Sequence, residues 1–180
     1  MPRGKEIDLL LLPEMFHTSF TMNTGLSESM ENSKGIDFLK TISTAFDCAI
    51  YTSLIISENG KTYNRGVFIK PCGGVALYDK RKTFGLAGED KAYTSGDTQV
   101  IVDYKNWKIN LQIRYDLRFP ELVANRIEKN GNPLYDIILY IANWPEKRSS
   151  HWNALLKARA IENQAYVLAC NRVGIDFNKH

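Results

Sequence analysis

Short hydrophobic runs that end at a proline, glycine or asparagine recur along the chain. The first, residues 8–13, contains four consecutive leucines before Pro13, a pattern typical of a central strand that is buried on both faces. Asn59-Gly60 indicates a hairpin turn between two strand-like runs. In addition to the first run, β-branched or alternating residues predict strands at 48–56, 63–70, 75–78, 99–103, 107–113, 136–142 and 165–170.

Helical spacing of apolar residues occurs in three segments. Residues 33–46 predict a helix with four inward positions: Ile36, Leu39, Ile42 and Ala45. A second helix is predicted over 121–129, with Pro120 in its first turn. Ser149 or Ser150 is predicted to cap a third helix that continues to Ile161, with these side chains inward: Trp152, Leu155, Leu156 and Ile161. Residues 80–96 lack such spacing and are expected to form a long functional loop.

The order of these elements and the composition predict a single α/β layered domain over residues 1–180. A chain of 180 residues with 44% hydrophobic and 24% charged residues is long and apolar enough to bury a sizeable core. Its 23 basic and 20 acidic residues are mixed along the chain, which argues against nucleic acid as a partner. The longest apolar run near the start is too short to span a membrane and resembles no signal peptide. We therefore expect a cytoplasmic protein without a membrane partner.

The three cysteines, Cys48, Cys72 and Cys170, are widely spaced and form no Cys-x-x-Cys pair. With three histidines to assist them, they make a poor set of metal ligands. We interpret them as structural thiols and expect no disulfide, no bound metal and no cofactor.

Charged residues follow three of the predicted strands. Glu14 comes just after the first strand, where partial burial suits a general base, although taken alone a structural charge with a satisfied partner is the commoner arrangement. Lys80 begins the long loop, where it could hydrogen-bond a developing oxyanion or simply be solvated. Arg114 follows the strand at 107–113. Open α/β sheets place their sites at strand ends, so these three positions together predict one site.

Five short motifs give the chain a resemblance to a known family. They are Leu12-Pro-Glu14, Tyr78-Asp-Lys80, Tyr115-Asp-Leu-Arg-Phe-Pro120, Ala142-Asn-Trp-Pro145 and Ala158-Arg-Ala-Ile-Glu-Asn163. In these the chain resembles the nitrilase superfamily, the carbon-nitrogen hydrolases. Two further segments, Phe20-Thr-Met-Asn23 and Leu86-Ala-Gly-Glu89, are similar to its ω-amidase-like branch, which hydrolyses small amides of dicarboxylic or keto acids.

The resemblance implies a fold and an assembly. The family fold is a four-layer α-β-β-α sandwich that often pairs through its helices, so we expect a homodimer. Family members normally have a strand and a helix before Glu14 and further strands after Gly174, so this chain is expected to be the central part of a carbon-nitrogen hydrolase domain, truncated at both ends.

The resemblance also implies roles for individual residues. Glu14 is the general base, Lys80 supports the oxyanion, and a cysteine at position 114 would attack the amide carbon to give a thioester and ammonia. Glu89 resembles a second glutamate that positions substrate or water, although a solvated loop carboxylate fits it almost equally well. The substrate-binding residues are expected to be Tyr115, Asn143, Trp144 and Arg118, with a strand-end turn as the alternative for Asn143 and Trp144. Arg118 and Arg159 hold a substrate carboxylate or brace the fold.

Arginine at position 114 is the main departure from the family. A guanidinium offers no lone pair for attack on carbon, so Arg114 cannot replace a thiolate. Its bulk should fill the pocket, and its charge would repel Lys80 unless Glu14 and Glu89 both pair with it. We therefore expect an inactive amidase scaffold whose ligand is a small amide or carboxylate. The alternatives are a non-catalytic module that captures a small carboxylate and a fragment with no function of its own.

Overall fold

Two β-sheets packed face to face form the centre of the fold. The structure, a computed structural model, describes residues 7–174. The first sheet contains β1 (Leu9–Leu11), β2 (Glu28–Ser29), β3 (Ala49–Glu58), β4 (Lys61–Ile69) and β5 (Val75–Asp79). The second contains β6 (Ile101–Tyr104), β7 (Trp107–Ile113), β8 (Ile137–Ala142) and β9 (Tyr166–Asn171). The α-helices are α1 (Lys34–Ala45), α2 (Glu89–Ala92) and α3 (Ser149–Asn163).

The strands of the two sheets run differently. In the first sheet β3, β4 and β5 form an antiparallel meander, while β1 and β2 each pair with β3 in parallel. In the second sheet β6 and β7 form an antiparallel hairpin, and β7, β8 and β9 run parallel. Helix α3 supplies the crossover that the parallel pair β8–β9 requires. Ile113 pairs with Ile141, so β7 and β8 end side by side.

Three apolar clusters hold the layers together. Side chains such as Tyr51 and Phe68 of the first sheet pack against Leu111 and Leu139 of the second and fill the space between the sheets. Helix α1 covers the outer face of the first sheet, and α3 covers the outer face of the second sheet. The expected four-layer α-β-β-α arrangement is therefore confirmed.

Several predictions about strands and loops need correction. Strand β1 is not central. Within the described residues it pairs with β3 alone, so it lies at the edge of its sheet and is half-buried, and it ends shortly before Pro13. The stretch 80–96 is not a loop throughout, since it contains a 3-10 turn and α2. Residues 121–129 form no α-helix. A 3-10 turn over Pro120–Leu122 ends there, and Asn125 instead hydrogen-bonds across to the end of α3 at Asn163.

The two longer helices lie close to their predicted bounds, but α3 continues to Asn163 and neither Ser149 nor Ser150 caps it. Both serines lie inside the helix, whose N-cap residue, Arg148, makes no capping hydrogen bond with its side chain. Some buried positions also differ. Ser33 caps α1, yet Ala45 is exposed and Ser43 is buried, because the Ser43 hydroxyl donates to Cys48 O at 2.7 Å. In α3, Ile161 is 77% exposed, contrary to prediction. Arg159 is buried in its stead, with its guanidinium donating to Leu117 O at 2.7 and 3.1 Å.

The three cysteines are all free. Cys48 is buried and Cys170 is half-buried, as expected of structural thiols, whereas Cys72 is exposed in a turn and packs in no core. No helix among residues 7–174 is long and apolar enough to cross a bilayer.

Gly96 lies where the chain passes closest to the end of β5, and replacing it with alanine should destabilise the fold. A Cβ at Gly96 would lie 2.3 Å from Asp79 O, and Gly96 cannot shift freely because its N–H donates to Lys80 O at 3.0 Å. We expect Gly96→Ala to lower the free energy of unfolding in urea by about 1–3 kcal/mol. Gly74→Ala is the control, since its nearest neighbour would be 3.7 Å away. Equal stability of the two variants would contradict the close approach.

Candidate active site

The ends of four strands, two from each sheet, supply the candidate site. Glu14 follows β1 and Lys80 follows β5 in the first sheet. Arg114 follows β7 and Asn143 follows β8 in the second. The packing of the two sheets therefore brings together residues that are up to 129 positions apart, such as Glu14 and Asn143.

A buried ion cluster lies at the centre of the site. Lys80 Nζ is 2.8 Å from Glu14 Oε1 and 2.8 and 2.9 Å from the two carboxylate oxygens of Glu89. All three side chains are at least 99% buried. Asn64 Nδ2 donates to both carboxylates, at 2.9 and 3.2 Å. The predicted meeting of Glu14 and Lys80 is thus observed, and Glu89 is not a solvated loop carboxylate.

The charges of this cluster stabilise one another. Burial lowers the pKa of Lys80, but the carboxylates of Glu14 and Glu89 outweigh it, so the pKa lies above its ordinary value. Burial raises the pKa of Glu89, yet Lys80 and its hydrogen bonds hold that pKa below its usual range. Lys80 is therefore an ammonium ion, ready to donate a hydrogen bond.

The Glu14 carboxylate is fixed from both sheets. Asn143 N donates to Glu14 Oε2 at 3.1 Å, and Asn143 Nδ2 donates to the Glu14 backbone carbonyl. The next residue, Met15, adopts a left-handed φ of +48° and donates its N–H to Ser53 Oγ at 2.9 Å. Asn143 is therefore not a simple turn residue, because it positions the candidate base.

A sharp bend places residue 114 opposite Glu14. Arg114 begins a 3-10 turn with φ of +40°, a conformation that non-glycine residues rarely adopt. Asp116 holds the bend in place: its carboxylate accepts from Ile113 N at 3.0 Å, Lys82 N at 2.9 Å and Tyr78 OH at 2.8 Å. Burial raises the pKa of Asp116 to about 6, although Lys80 and these hydrogen bonds oppose the rise.

The Arg114 side chain occupies the site. Its guanidinium carbon lies 4.0 Å from the ring centre of Phe20 and 5.0 Å from that of Phe84. Its Nε is 3.8 Å from Glu14 Oε2, a long ion pair, and its Nη1 is buried without a hydrogen-bond partner. Glu89, which was also expected to pair with Arg114, binds Lys80 instead. The arginine is therefore packed between two rings and only loosely paired.

A small cleft opens above Arg114. Three of the predicted substrate-binding residues line it together with others; the lining residues are Phe84, Arg114, Tyr115, Arg118, Trp144, Pro145 and Arg148. Its volume of about 10 Å³ is roughly what one water molecule needs. A larger hollow of about 440 Å³ lies at the opposite end of β7, and none of the candidate residues borders it. The chemistry of the site therefore belongs to the small cleft, which Arg114 largely fills.

Sequence reasoning missed several participants. Asn64 lies in the polar first half of β4, beside Arg65, so no local signal marks it as a buried partner for the two carboxylates. Phe20 and Phe84 lie in or near recognisable segments, but no pattern indicates that their rings enclose residue 114. Arg159 braces the fold as predicted, through a carbonyl and the partly exposed Glu162 rather than a buried carboxylate. Within residues 7–174, no group of three His, Cys, Asp or Glu side chains is placed to hold a metal ion.

A four-layer α/β sandwich with a buried Glu-Lys-Glu cluster at its strand ends is the arrangement expected of a carbon-nitrogen hydrolase. The sequence profile of the carbon-nitrogen hydrolase family matches residues 2–180, and the chain belongs to that family. Its resemblance to the nitrilase superfamily is thereby confirmed.

Several relatives in this family are named as amidases. The omega-amidase YafV of Yersinia enterocolitica is 42% identical over 173 residues, which are 96% of this chain and 65% of that protein. The 2-oxoglutaramate amidase of Bacillus subtilis is 31% identical over 95% of this chain and 66% of its own length. The crystal structure of XC1258 from Xanthomonas campestris, a CN-hydrolase superfamily protein with an arsenic adduct in its active site, matches with a TM-score of 0.91 and 37% identity. The match covers 96% of this chain and 66% of the XC1258 chain. The chain thus spans about two thirds of the length of these relatives.

Removing the central cation should destabilise the fold strongly. Lys80→Met would leave Glu89 buried without a counter-charge and Glu14 with only the long ion pair to Arg114, which should cost about 3–5 kcal/mol of unfolding free energy. Lys82→Met is the matched control, because Lys82 is partly exposed and lies 3.7 Å from Glu121. It should cost less than about 1 kcal/mol in the same urea titration. Similar losses in both variants would show that the buried cluster contributes little.

Asp116 should make stability depend on pH. Its pKa of about 6 in the folded protein exceeds its ordinary 3.8, so folding favours the protonated acid. This contribution is fully present below about pH 4 and is lost as the pH rises through 6. Asp116→Asn should therefore gain stability relative to the parent chain between pH 4 and pH 7, by on the order of 3 kcal/mol. Asp103→Asn, a change at an exposed position, is the control and should show no such trend. A stability difference between Asp116→Asn and the parent chain that does not change with pH would refute the raised pKa of Asp116.

Proposed function

We propose that this chain carries the site of a small-molecule amidase of the ω-amidase type and is inactive because arginine stands at the position of the attacking cysteine. The similarity to omega-amidases and a 2-oxoglutaramate amidase supports the reaction class. The observation that carries the proposal is the complete Glu14–Lys80–Glu89 cluster beside a bend whose side chain is Arg114. The substrate would be an amide of a small dicarboxylic or keto acid.

The position of Glu14 suits a general base for residue 114. Its Oε2 is directed toward the side chain of that residue, with 3.8 Å to Arg114 Nε. A cysteine there would give its proton to Glu14 and attack the amide carbon. The protonated Glu14 would then pass that proton to the leaving nitrogen as the C–N bond of the tetrahedral intermediate breaks, which releases ammonia and leaves a thioester. The other oxygen of Glu14, Oε1, accepts hydrogen bonds from Lys80 and Asn64, which keep the carboxylate in place during both proton transfers.

Lys80 would stabilise the oxyanion of each tetrahedral intermediate. Its ammonium ion is fixed by Glu14 and Glu89, so little reorganisation would be needed when negative charge develops on the substrate. Glu89 would position the ammonium and, with Glu14, the water that hydrolyses the thioester. Its own carboxylate is held by Phe84 N at 2.6 Å.

Arg114 would stop this reaction in two ways. Its guanidinium has no lone pair with which to attack carbon. It also fills the space that a substrate amide would need, since only about 10 Å³ remains in the cleft. The walls offered by Tyr115 and Trp144, with Arg118 at the rim, would hold the substrate once that space is opened.

We also propose an oligomeric state and a cellular location for the protein. We propose a homodimer, because the helix α3 and the strand β9 expose Ile161 and Tyr166, which are 77% and 66% accessible and would suit a helix-paired interface. We propose a cytoplasmic location, because the three cysteines are free, as is usual for proteins of a reducing compartment.

A single substitution should restore activity. Arg114→Cys supplies a nucleophile and opens the cleft, so it should release ammonia from succinamate-like and glutamine-like amides, while the parent chain should not. The matched control is Arg114→Ala, which opens the cleft equally but provides no nucleophile and should be inactive. Adding Glu14→Gln to the cysteine variant should reduce the rate by about 10²- to 10⁴-fold.

All variants should first be shown to unfold cooperatively, so that loss of structure is not mistaken for loss of chemistry. A folded Arg114→Cys protein that releases no ammonia from any of these amides would contradict the proposal. Equal rates of ammonia release by Arg114→Cys and Arg114→Ala would also contradict the proposal, because the nucleophile would then have to lie at another position.

A further inference from the structure

Three arginines converge on the small cleft and point to a second use of the site. We infer that the chain as it stands binds the carboxylate group of a small organic acid there, through Arg114, Arg118 and Arg148. The inference rests on the proposed function in one respect: it assumes that the substrate pocket persists although the nucleophile is replaced.

The first observation is an unsatisfied donor. Arg114 is 6% exposed, and its Nη1 is buried without a hydrogen-bond partner. Buried guanidinium nitrogens are normally bonded, because an unpaired one forfeits its hydration without compensation. Since Arg114 lines the cleft, an anionic oxygen placed there would supply the missing acceptor.

Glu14 does not meet this need. Its Oε1 accepts from Lys80 and Asn64, and its Oε2 accepts from Asn143 N. The closest approach of Arg114 to Glu14 is 3.8 Å, too long for a hydrogen bond. The carboxylate is therefore held by other donors at a distance from the guanidinium, and Arg114 Nη1 still requires an acceptor.

The second observation is the charge around the cleft. Within the ion cluster, Lys80 and Arg114 offset Glu14 and Glu89, and the buried Asp116 is held by hydrogen bonds of its own behind the bend. The residues that line the cleft add Arg118 and Arg148 but no carboxylate. Within the described part of the chain neither of these two arginines forms an ion pair. The mouth of the cleft is therefore positively charged, which suits an anion.

Aromatic rings hold the rim arginines near the cleft. The Arg118 guanidinium lies 5.0 Å from the Trp144 ring centre, and that of Arg148 lies 5.8 Å from the Phe84 ring centre. Cation–π contacts of this kind restrict a long side chain while leaving its N–H groups free to donate. Arg118 has one weak polar contact, at 3.4 Å to His151 Nδ1, which an anion could replace.

The size of the cleft limits the ligand. With about 10 Å³ available, one carboxylate oxygen fits beside Arg114, and the rest of the acid must extend outward past Trp144 and Tyr115. The structure thus favours a short mono- or dicarboxylate bound through one end. A neutral amide of the same shape would lack the charge that the three arginines recognise.

Calorimetric titration of the folded 180-residue chain tests this inference. In chloride-free buffer of low ionic strength, succinate and acetate should bind, and the neutral diamide succinamide should not. Arg114→Gln should weaken succinate binding by about 10- to 100-fold, as expected for the loss of a charge-assisted bond. Arg126→Gln, an exposed arginine outside the cleft, is the matched control and should bind as the parent does.

Further arms separate the possible outcomes. Arg148→Gln changes an exposed residue and should not disturb folding, so it keeps the test decisive if Arg114→Gln fails to fold; it too should weaken binding. Chloride or phosphate competing as strongly as succinate would mean that the site takes any small anion and would overturn the carboxylate assignment. No heat with any acid at millimolar concentration, or equal binding by all variants, would also overturn it.

This test is independent of the amidase test. Absence of succinate binding together with activity of Arg114→Cys would reject the anion site and leave the amidase proposal intact. Succinate binding that depends on Arg114, with an inactive but folded cysteine variant, would support the anion site and reject the amidase proposal.

Discussion

One buried lysine between two buried carboxylates is the constraint on which the rest of the site depends. Lys80, Glu14 and Glu89 come from three separate segments, and none of the charges could be buried alone without a cost of several kcal/mol. Their burial is tolerable only while all three remain in contact. The ion cluster therefore ties the segments that follow β1 and β5 to α2.

The same constraint explains how arginine is accommodated at position 114. Without it the buried cluster has two negative charges and one positive; with it the charges balance. The guanidinium lies over the rings of Phe20 and Phe84, where an uncharged side chain of equal length would gain less. The bend itself is held by Asp116 and not by the side chain of residue 114, so the backbone geometry does not depend on cysteine being there.

Sequence patterns predicted the elements whose formation depends on neighbouring residues. Strand β7 was predicted residue for residue, because its hydrophobic run is bounded by clear turns. The prediction of a helix over 121–129 was wrong, since the backbone N–H and the side chain of Asn125 both donate to the distant Asn163 and no local signal reports that contact. The positions of Glu14, Lys80 and residue 114 were anticipated from strand ends and family motifs. The role of Asn64, which joins the two carboxylates, depends on β4 being paired with β5 and was not anticipated.

Because the two sheets contribute different parts, the chemistry of the cleft is decided at one position. The first sheet supplies the candidate base and the ammonium ion, while the second supplies the bend and the arginine-rich mouth. In the amidase that we propose, a thiol at the bend would lie between them, and the mouth would orient a substrate acid. A guanidinium at the bend extends the positive charge of the mouth inward instead, which is why we infer that a carboxylate, rather than its amide, is the ligand of the chain as it stands.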